Sequence, residues 1–182
     1  LRILPLGEES DFVNGFAAND AASTLNIWQR IKELGYPTEN PMVIMNCRAD
    51  RVDRTEQFAA DVLPHIETEF LVVVGQSIDP IRQAYQEGKI PAQELLDLED
   101  CSAEEVIEQI KDKIAGRVIY GVGNIHGTGQ PLIEWFETLH EEHQHLTTAQ
   151  NEVATDEAAA SVSQYWEQEK SQEPSEEFTT IR

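Results

Sequence analysis

Short apolar runs alternate with segments of helical periodicity along most of the chain, and this alternation constrains the fold more than any other feature. Residues 42–45, 71–74 and 118–122 are compact apolar runs, as expected of strands that are buried on both faces. Between them lie stretches with apolar residues at helical spacing, such as Phe58 and Val62. The pattern predicts an α/β fold, with a Rossmann-like open, mostly parallel sheet and flanking helices.

Two weaker segments complete the predicted sheet. Residues 11–16 and 95–98 favour strands, which brings the expected number of strands to four or five. Ser102 is followed three residues later by Glu105, a capping-box pattern that predicts the start of a helix.

The composition divides the chain into three parts. Residues 1–10 are expected to be a linker, because the chain starts at Leu1 and reads as a fragment of something longer. Residues 11–145 form the predicted α/β domain. Residues 146–182 are rich in Ala, Ser, Thr, Gln and Glu, so an acidic, mostly disordered tail is expected, with a short helix around Tyr165 and Trp166 as the alternative.

Charge and residue types exclude several functions. With 34 acidic and 13 basic side chains and a net charge of -21, the surface repels phosphate backbones, so nucleic acid is not an expected partner. His140, His143 and His145 lie close together, but we interpret them as a solvated helix end and predict no metal site. Cys47 has no Cys-His-Asn pattern around it and is interpreted as a structural thiol.

Ligands of open parallel sheets bind at the carboxyl ends of the strands, so these ends are the candidate sites. The first is followed by Asn19 and Asp20, either of which caps a helix, and the helix start is suited to an anion. The third is residues 75–80, where Ser77 or Asp79 is the expected cap or the whole segment is a plain turn.

The second strand end carries three arginines within seven residues of a strongly acidic chain. Arg48, Arg51 and Arg54 offer planar donors for phosphate or carboxylate groups, with Asp50 among them. The alternative is that Asp50 and Asp53 pair with these arginines in a solvated loop.

The fourth strand end is a glycine-rich loop at residues 121–129, which contains Asn124 and His126. Its glycines allow a close approach of backbone to ligand. It matches neither a dinucleotide fingerprint nor a Walker A loop. His126 either contacts a ligand or forms hydrogen bonds within the loop.

Taken in order, three of these segments resemble the C-terminal domain of the capsule-type poly-γ-glutamate synthases, members of the Mur-ligase superfamily. They are residues 12–24, 43–54 and 117–127. The resemblance runs from about Leu4 to His140 and does not cover the tail.

The resemblance implies an ATP-dependent amide ligase that joins glutamates through an acyl phosphate. In that family the preceding central domain holds the P-loop and the magnesium ligands, so residues 1–10 would be the linker from it and this chain would carry no catalytic or metal-binding residue. The C-terminal domain would close over the site with its nucleotide- and substrate-binding residues, which we predict to be Asn19, Asp20, Arg48, Asp50, Arg51, Arg54, Asn124 and His126.

The implied cofactors are ATP and Mg²⁺, and the implied partners are glutamate, poly-γ-glutamate and the membrane subunits of a synthase complex at the cytoplasmic side of the membrane. The alternative is a non-catalytic docking domain that mediates assembly of such a complex.

Overall fold

A computed structural model describes residues 2–18 and 20–171, with side chains described up to residue 168. The strands are β1 (Arg2–Gly7), β2 (Ser10–Asn14), β3 (Met42–Cys47), β4 (Thr68–Gly75), β5 (Ala92–Glu99) and β6 (Val118–Gly123). The α-helices are α1 (Ala21–Glu33), α2 (Val52–Asp61), α3 (Asp79–Gln86), α4 (Ala103–Ile110) and α5 (Gly129–Ser171). One sheet contains all six strands in the order β1-β2-β6-β3-β4-β5.

The predicted mostly parallel sheet is confirmed. β2, β6, β3, β4 and β5 run parallel, and β1 pairs with β2 in an antiparallel hairpin. The strand count is higher than expected because β1 lies within residues 1–10, which the sequence indicated as a linker. Pro5 weakens the strand signal there, but an edge strand tolerates proline, and Leu4 is buried in the core.

Helices cover both faces of the sheet, each with its own apolar core. On one face α1, α2 and α3 pack through residues such as Trp28 and Phe58. On the other face α4 and the first turns of α5 pack through Val106 and Phe136. The Phe136 ring stacks on Phe12 of β2 with 4.0 Å between ring centroids, which fixes α5 on the sheet.

Side-chain caps define two of the helix starts. Asp20 caps α1 by accepting a hydrogen bond from the backbone N–H of Ser23 at 2.8 Å, whereas the other candidate cap, Asn19, lies outside the described residues. The capping box predicted for Ser102 and Glu105 is present at the start of α4.

The chain divides into two compact units, Leu1–His143 and Gln144–Arg182. In the second unit the described residues continue α5 as far as Ser171, and their described side chains are all exposed. The abundant Ala, Gln and Glu of this segment favour helix even where no core is formed, and the helix includes Tyr165 and Trp166, where a short helix was the alternative to disorder. Residues 172–182 lie outside the described part. None of the described helices combines the length and apolar character that a membrane crossing requires.

Candidate functional site

A pocket of about 560 Å³ opens at the carboxyl edge of the sheet. Four of the five parallel strands end at it, so it lies where open α/β sheets bind their ligands. The residues after β3 and those in the loop after β6 form facing walls, and the ends of β4 and β5 contribute the rest. The lining residues are Cys47, Arg48, Ala49, Asp50, Gly75, Gln76, Asp100, Cys101, His126, Gly127 and Thr128.

The chain connectivity explains why a crevice forms at this place. β3 and β6 are neighbours in the sheet, but β3 leads into α2 on one face whereas β6 leads into α5 on the other. The two connections therefore diverge and leave space above the strand ends, which is the topological switch point of the sheet.

Arg48 and Asp50 pair with each other on one wall of the pocket. Arg48 Nε donates to Asp50 Oδ1 at 2.9 Å, and Arg48 Nη2 donates to Asp50 Oδ2 at 2.8 Å. The side chain of Asp50 is 63% exposed, so the pair is held in solvent and is exchangeable for a ligand at small cost. The pairing alternative is therefore found for Arg48 and Asp50, whereas ligand binding by Arg48 stays a prediction at a residue that lines the pocket.

The helical segment after β3 starts at this wall without a side-chain cap. A 3-10 turn, Ala49–Arg51, precedes α2, and no described side chain accepts a hydrogen bond at its first residues. Free N–H groups at a helix start carry partial positive charge. The Arg51 side chain is exposed, and its guanidinium makes no hydrogen bond or ion pair with the part of the chain that the structure describes, although its backbone N–H donates to the carbonyl of Arg48 at 3.1 Å.

Arg54 and Asp20 form a second group, beside the pocket rather than in its lining. Arg54 Nη2 donates to the carbonyl of Ala18, and its guanidinium lies 5.4 Å from the centroid of the Phe58 ring. Burial, and then the positive charge of Arg51, lower the pKa of Arg54. Hydrogen bonds from Ser23 lower the pKa of the exposed Asp20. Arg54 therefore ties α2 to the loop before α1.

Asn124 is buried and supports the loop after β6. Its backbone N–H and its Nδ2 donate to the carbonyl of Asn46 at 3.0 and 3.2 Å. In return, Asn46 Nδ2 donates to the carbonyls of Asn124 at 2.6 Å and of His126 at 2.8 Å. His126 is exposed and lines the pocket. Sequence reasoning missed Asn46, although a polar residue inside an apolar strand was the available signal.

Glycines bring these strand ends close together. A Cβ at Gly75, where φ is +89°, would lie 2.0 Å from the carbonyl oxygen of Cys47. A Cβ at Gly123, where φ is +93°, would lie 2.5 Å from the carbonyl oxygen of Asn46. Only glycine accommodates both the backbone angle and the contact at these positions.

The third strand end is capped from another strand. Neither Ser77 nor Asp79 caps α3, contrary to expectation. Instead, Glu99 Oε1 of β5 accepts from the N–H groups of Ser77 at 2.9 Å and Ile78 at 3.3 Å. Arg82 Nη2 donates to Glu99 Oε2 at 2.9 Å, and these hydrogen bonds from Arg82 are the main cause of the lowered pKa of Glu99. The N–H groups before α3 are therefore occupied.

The surroundings of Cys47 and His140 give each of these side chains a structural role. Burial raises the pKa of the Cys47 thiol to about 12, so it stays neutral and unreactive at physiological pH. His140 Nδ1 lies 2.7 Å from the carbonyl oxygen of Pro5, where it fastens α5 to β1. Within the described residues, no three His, Cys, Asp or Glu side chains are grouped so as to hold a metal ion.

Residues 3–139 match the family of the poly-gamma-glutamate synthase CapB C-terminal domain. The chain belongs to that family. PGA synthase CapB of Bacillus subtilis (strain 168) is 63% identical over 137 residues, which cover 74% of this chain and 35% of that protein. The capsule biosynthesis protein CapB of Bacillus anthracis is 50% identical over 137 residues, which cover 74% of this chain and 30% of that protein.

The chain spans about a third of the length of these curated relatives. The family match confirms the resemblance to poly-γ-glutamate synthases, and it contains the complete pocket and all six strands apart from Arg2, the first residue of β1. The second unit, from Gln144 onward, lies outside the matched range.

Proposed function

We propose that this chain is the closing domain of an ATP-dependent amide ligase that polymerises glutamate into poly-γ-glutamate. In this proposal a glutamate carboxylate is phosphorylated, and the amine of another glutamate displaces phosphate from the acyl phosphate. The pocket at the strand ends carries the proposal, because it combines an uncapped helical start with Arg48 at the edge where α/β domains bind ligands.

Charge supports an anionic ligand at this wall. Glutamate, its polymer and ATP are all anions, and a chain with a net charge of -21 repels them over most of its surface. Arg48 lines the pocket. Arg51 ends the 3-10 turn that starts at this wall and lies outside the pocket lining, and its guanidinium has no partner among the described residues. These two arginines would orient a carboxylate or phosphate group, while Arg54 holds the wall in place.

The donor set of this chain suits only part of an ATP and magnesium site. Its described residues offer no cluster of carboxylates for Mg²⁺, so in this proposal a preceding central domain holds the metal. The N–H groups before α3 are taken by Glu99, and Asp50 and Asp100 line the pocket, which disfavours a triphosphate lying along it. This domain would therefore complete the nucleotide and amino-acid site by closing over it, which also keeps water from the acyl phosphate.

The proposed partners follow from the reaction. They are glutamate, poly-γ-glutamate and the membrane subunits of a synthase complex, with the enzyme at the cytoplasmic side of the membrane. A polymer made for a capsule has to leave the cell, so a synthase coupled to membrane subunits is the arrangement proposed.

Arginine substitutions in the full-length protein test this proposal. Arg48→Ala and Arg51→Ala are each expected to lower the rate of polymer synthesis about 10-fold or more, since each removes a charged donor from the anion. Arg30→Ala is the matched control, because Arg30 is an exposed arginine on α1 whose ion pair with Glu33 lies away from the pocket. Unchanged synthesis in both pocket variants would overturn the proposal.

A second candidate function is a docking domain for assembly of the complex. It is favoured by the second unit, where the large apolar side chains of Val162, Tyr165 and Trp166 are each more than half exposed. Truncation after His143 separates the candidates. Lost assembly with retained glutamate ligation would favour docking, whereas retained assembly would remove this candidate.

A further inference from the structure

Asn46 is a fully buried polar side chain that joins the two facing walls of the pocket. It lies next to Cys47 and Arg48, which line one wall. Its Nδ2 group donates to the carbonyls of Asn124 at 2.6 Å and His126 at 2.8 Å, in the loop that forms the other wall. One side chain therefore spans a sequence separation of about 80 residues at the site.

We propose that Asn46 is a positioning residue, which holds the loop of residues 124–128 in register with the Arg48 wall and thereby sets the shape of the pocket. The inference rests on the proposed function where it concerns synthesis rates. Its structural part, the register of the loop, is independent of the reaction.

The chemistry of the contact favours asparagine. Two carbonyl oxygens at this short range need two N–H donors on one atom and no net charge. Glutamine would carry the amide one carbon further, and lysine or arginine would bring a buried charge. Both donors belong to Nδ2, so the hydrogen bonds fix which way the amide faces.

Glycines leave the amide a single position. A Cβ at Gly129 would lie 2.8 Å from Asn46 Nδ2, and a Cβ at Gly75 would lie 3.0 Å from Asn46 Oδ1. The backbone at Gly75 and Gly129 packs directly against the Asn46 side chain, so this side chain has little freedom to move relative to the pocket loop.

The other end of the amide shows that stability alone does not explain this residue. Asn46 Oδ1 is buried and accepts no hydrogen bond from the described residues. Burial of an unpaired acceptor is unfavourable, and most buried polar groups avoid it. Asn46 therefore leaves Oδ1 unpaired, which is unfavourable, while its Nδ2 group forms both hydrogen bonds to the pocket loop.

Asn46→Asp in the full-length protein is the test. At pH 8 the introduced carboxylate has no donor and faces two carbonyl oxygens, so kcat/KM is expected to fall about 100-fold as the wall shifts. On acidification toward pH 6, the protonated carboxyl regains one donor, and the ratio of variant to parent activity is expected to rise. A defect confined to folding would recover stability and activity together, whereas the positioning role predicts a rise in activity of a variant that is already folded at pH 8.

Thr68→Val is the matched control. Thr68 is also buried and donates to the carbonyl of Pro41 at 2.8 Å, but it lies at the start of β4, at the opposite edge of the sheet. Its loss removes a comparable buried hydrogen bond and is expected to leave kcat/KM within about twofold of the parent. A folded Asn46→Asp protein with parental kcat/KM at pH 8 would overturn the inference.

Two further measurements keep the inference separate from folding and from the proposed function. If Asn46→Asp does not fold, Gly129→Ala displaces the same contact and is expected to lower kcat/KM at least about 10-fold; parental activity would count against the inference. If the full-length parent makes no polymer, the proposed function fails. Amide hydrogen exchange in the present chain then tests whether Asn46 positions the pocket loop. Gly129→Ala is then expected to speed exchange in residues 124–128 about 10-fold, and unchanged exchange there would overturn it.

Discussion

Two groups of hydrogen bonds at the carboxyl edge of the sheet hold neighbouring strand ends together by different means, and each is called a node after its central residue. The Asn46 node joins β3 to the loop after β6 through neutral, fully buried hydrogen bonds. The Glu99 node joins β5 to the N–H groups before α3 through a carboxylate that Arg82 also contacts, in a partly exposed position.

The difference matches what each place has to do. The Asn46 node stands under the pocket, where a net charge would compete with an anionic ligand. The Glu99 node stands one strand away, and its carboxylate pairs with Arg82, which also pairs with Asp97 at 2.7 Å and with Asp79. Within the pocket lining, Arg48 is the arginine, and it is paired with Asp50.

Gly75 lies between the two nodes, and its substitution is expected to have the largest effect on stability. Gly75→Ala would place a Cβ 2.0 Å from Cys47 O at a φ of +89°, so strands β3 and β4 have to separate. We expect a loss of about 3 kcal/mol in the free energy of unfolding, measured by urea denaturation.

Gly35→Ala is the control for Gly75→Ala, because Gly35 has a φ of +80° but no atom within 4 Å of its Cβ position. It should lose about 1 kcal/mol, the effect of the backbone angle alone. Equal losses in the two variants would show that the close approach at the strand end contributes nothing.

Glu99→Gln is expected to have a smaller effect, and one that depends on pH. Glutamine keeps an acceptor for the N–H groups of Ser77 and Ile78 but loses the attraction to Arg82. Because the node is partly exposed, we expect a loss of no more than about 1 kcal/mol at pH 7.

The sign of the pH dependence follows from the lowered pKa of Glu99 in the folded chain. Its carboxylate stabilises the fold above the pKa of the unfolded chain, about 4.3, and this contribution is lost as the pH falls through the folded-state pKa. The variant should therefore approach the parent in stability below about pH 4. A stability difference that stays constant from pH 7 to pH 3 would rule out this role for the Glu99 charge.

The sequence predicted what local patterns encode and missed what tertiary contacts decide. Apolar runs located the strands, and Ser102 with Glu105 marked the start of α4 because a capping box lies within one helical turn. The cap of α3 was wrong because the acceptor, Glu99, comes from another strand. The contact of Arg54 with the carbonyl of Ala18 could not be predicted, because the two residues are 36 positions apart in the sequence. Asn46 was missed because its partners lie about 80 residues away.

The smallest expected difference between the two nodes is in how the stability losses of their variants depend on salt concentration. The stability losses of Glu99→Gln and Asn46→Ala, each measured relative to the parent at the same salt, respond differently because ions screen exposed charge pairs and leave buried neutral hydrogen bonds unaffected. Between about 0.05 and 1 M NaCl, the loss from Glu99→Gln should shrink by roughly half, whereas that from Asn46→Ala should stay constant to about 0.3 kcal/mol. Both proteins should also gain stability in parallel with the parent, since salt relieves the repulsion within a chain of net charge -21, and that shared gain cancels in the comparison. A salt-dependent loss for Asn46→Ala would mean that a charge, and not the amide alone, holds the pocket loop.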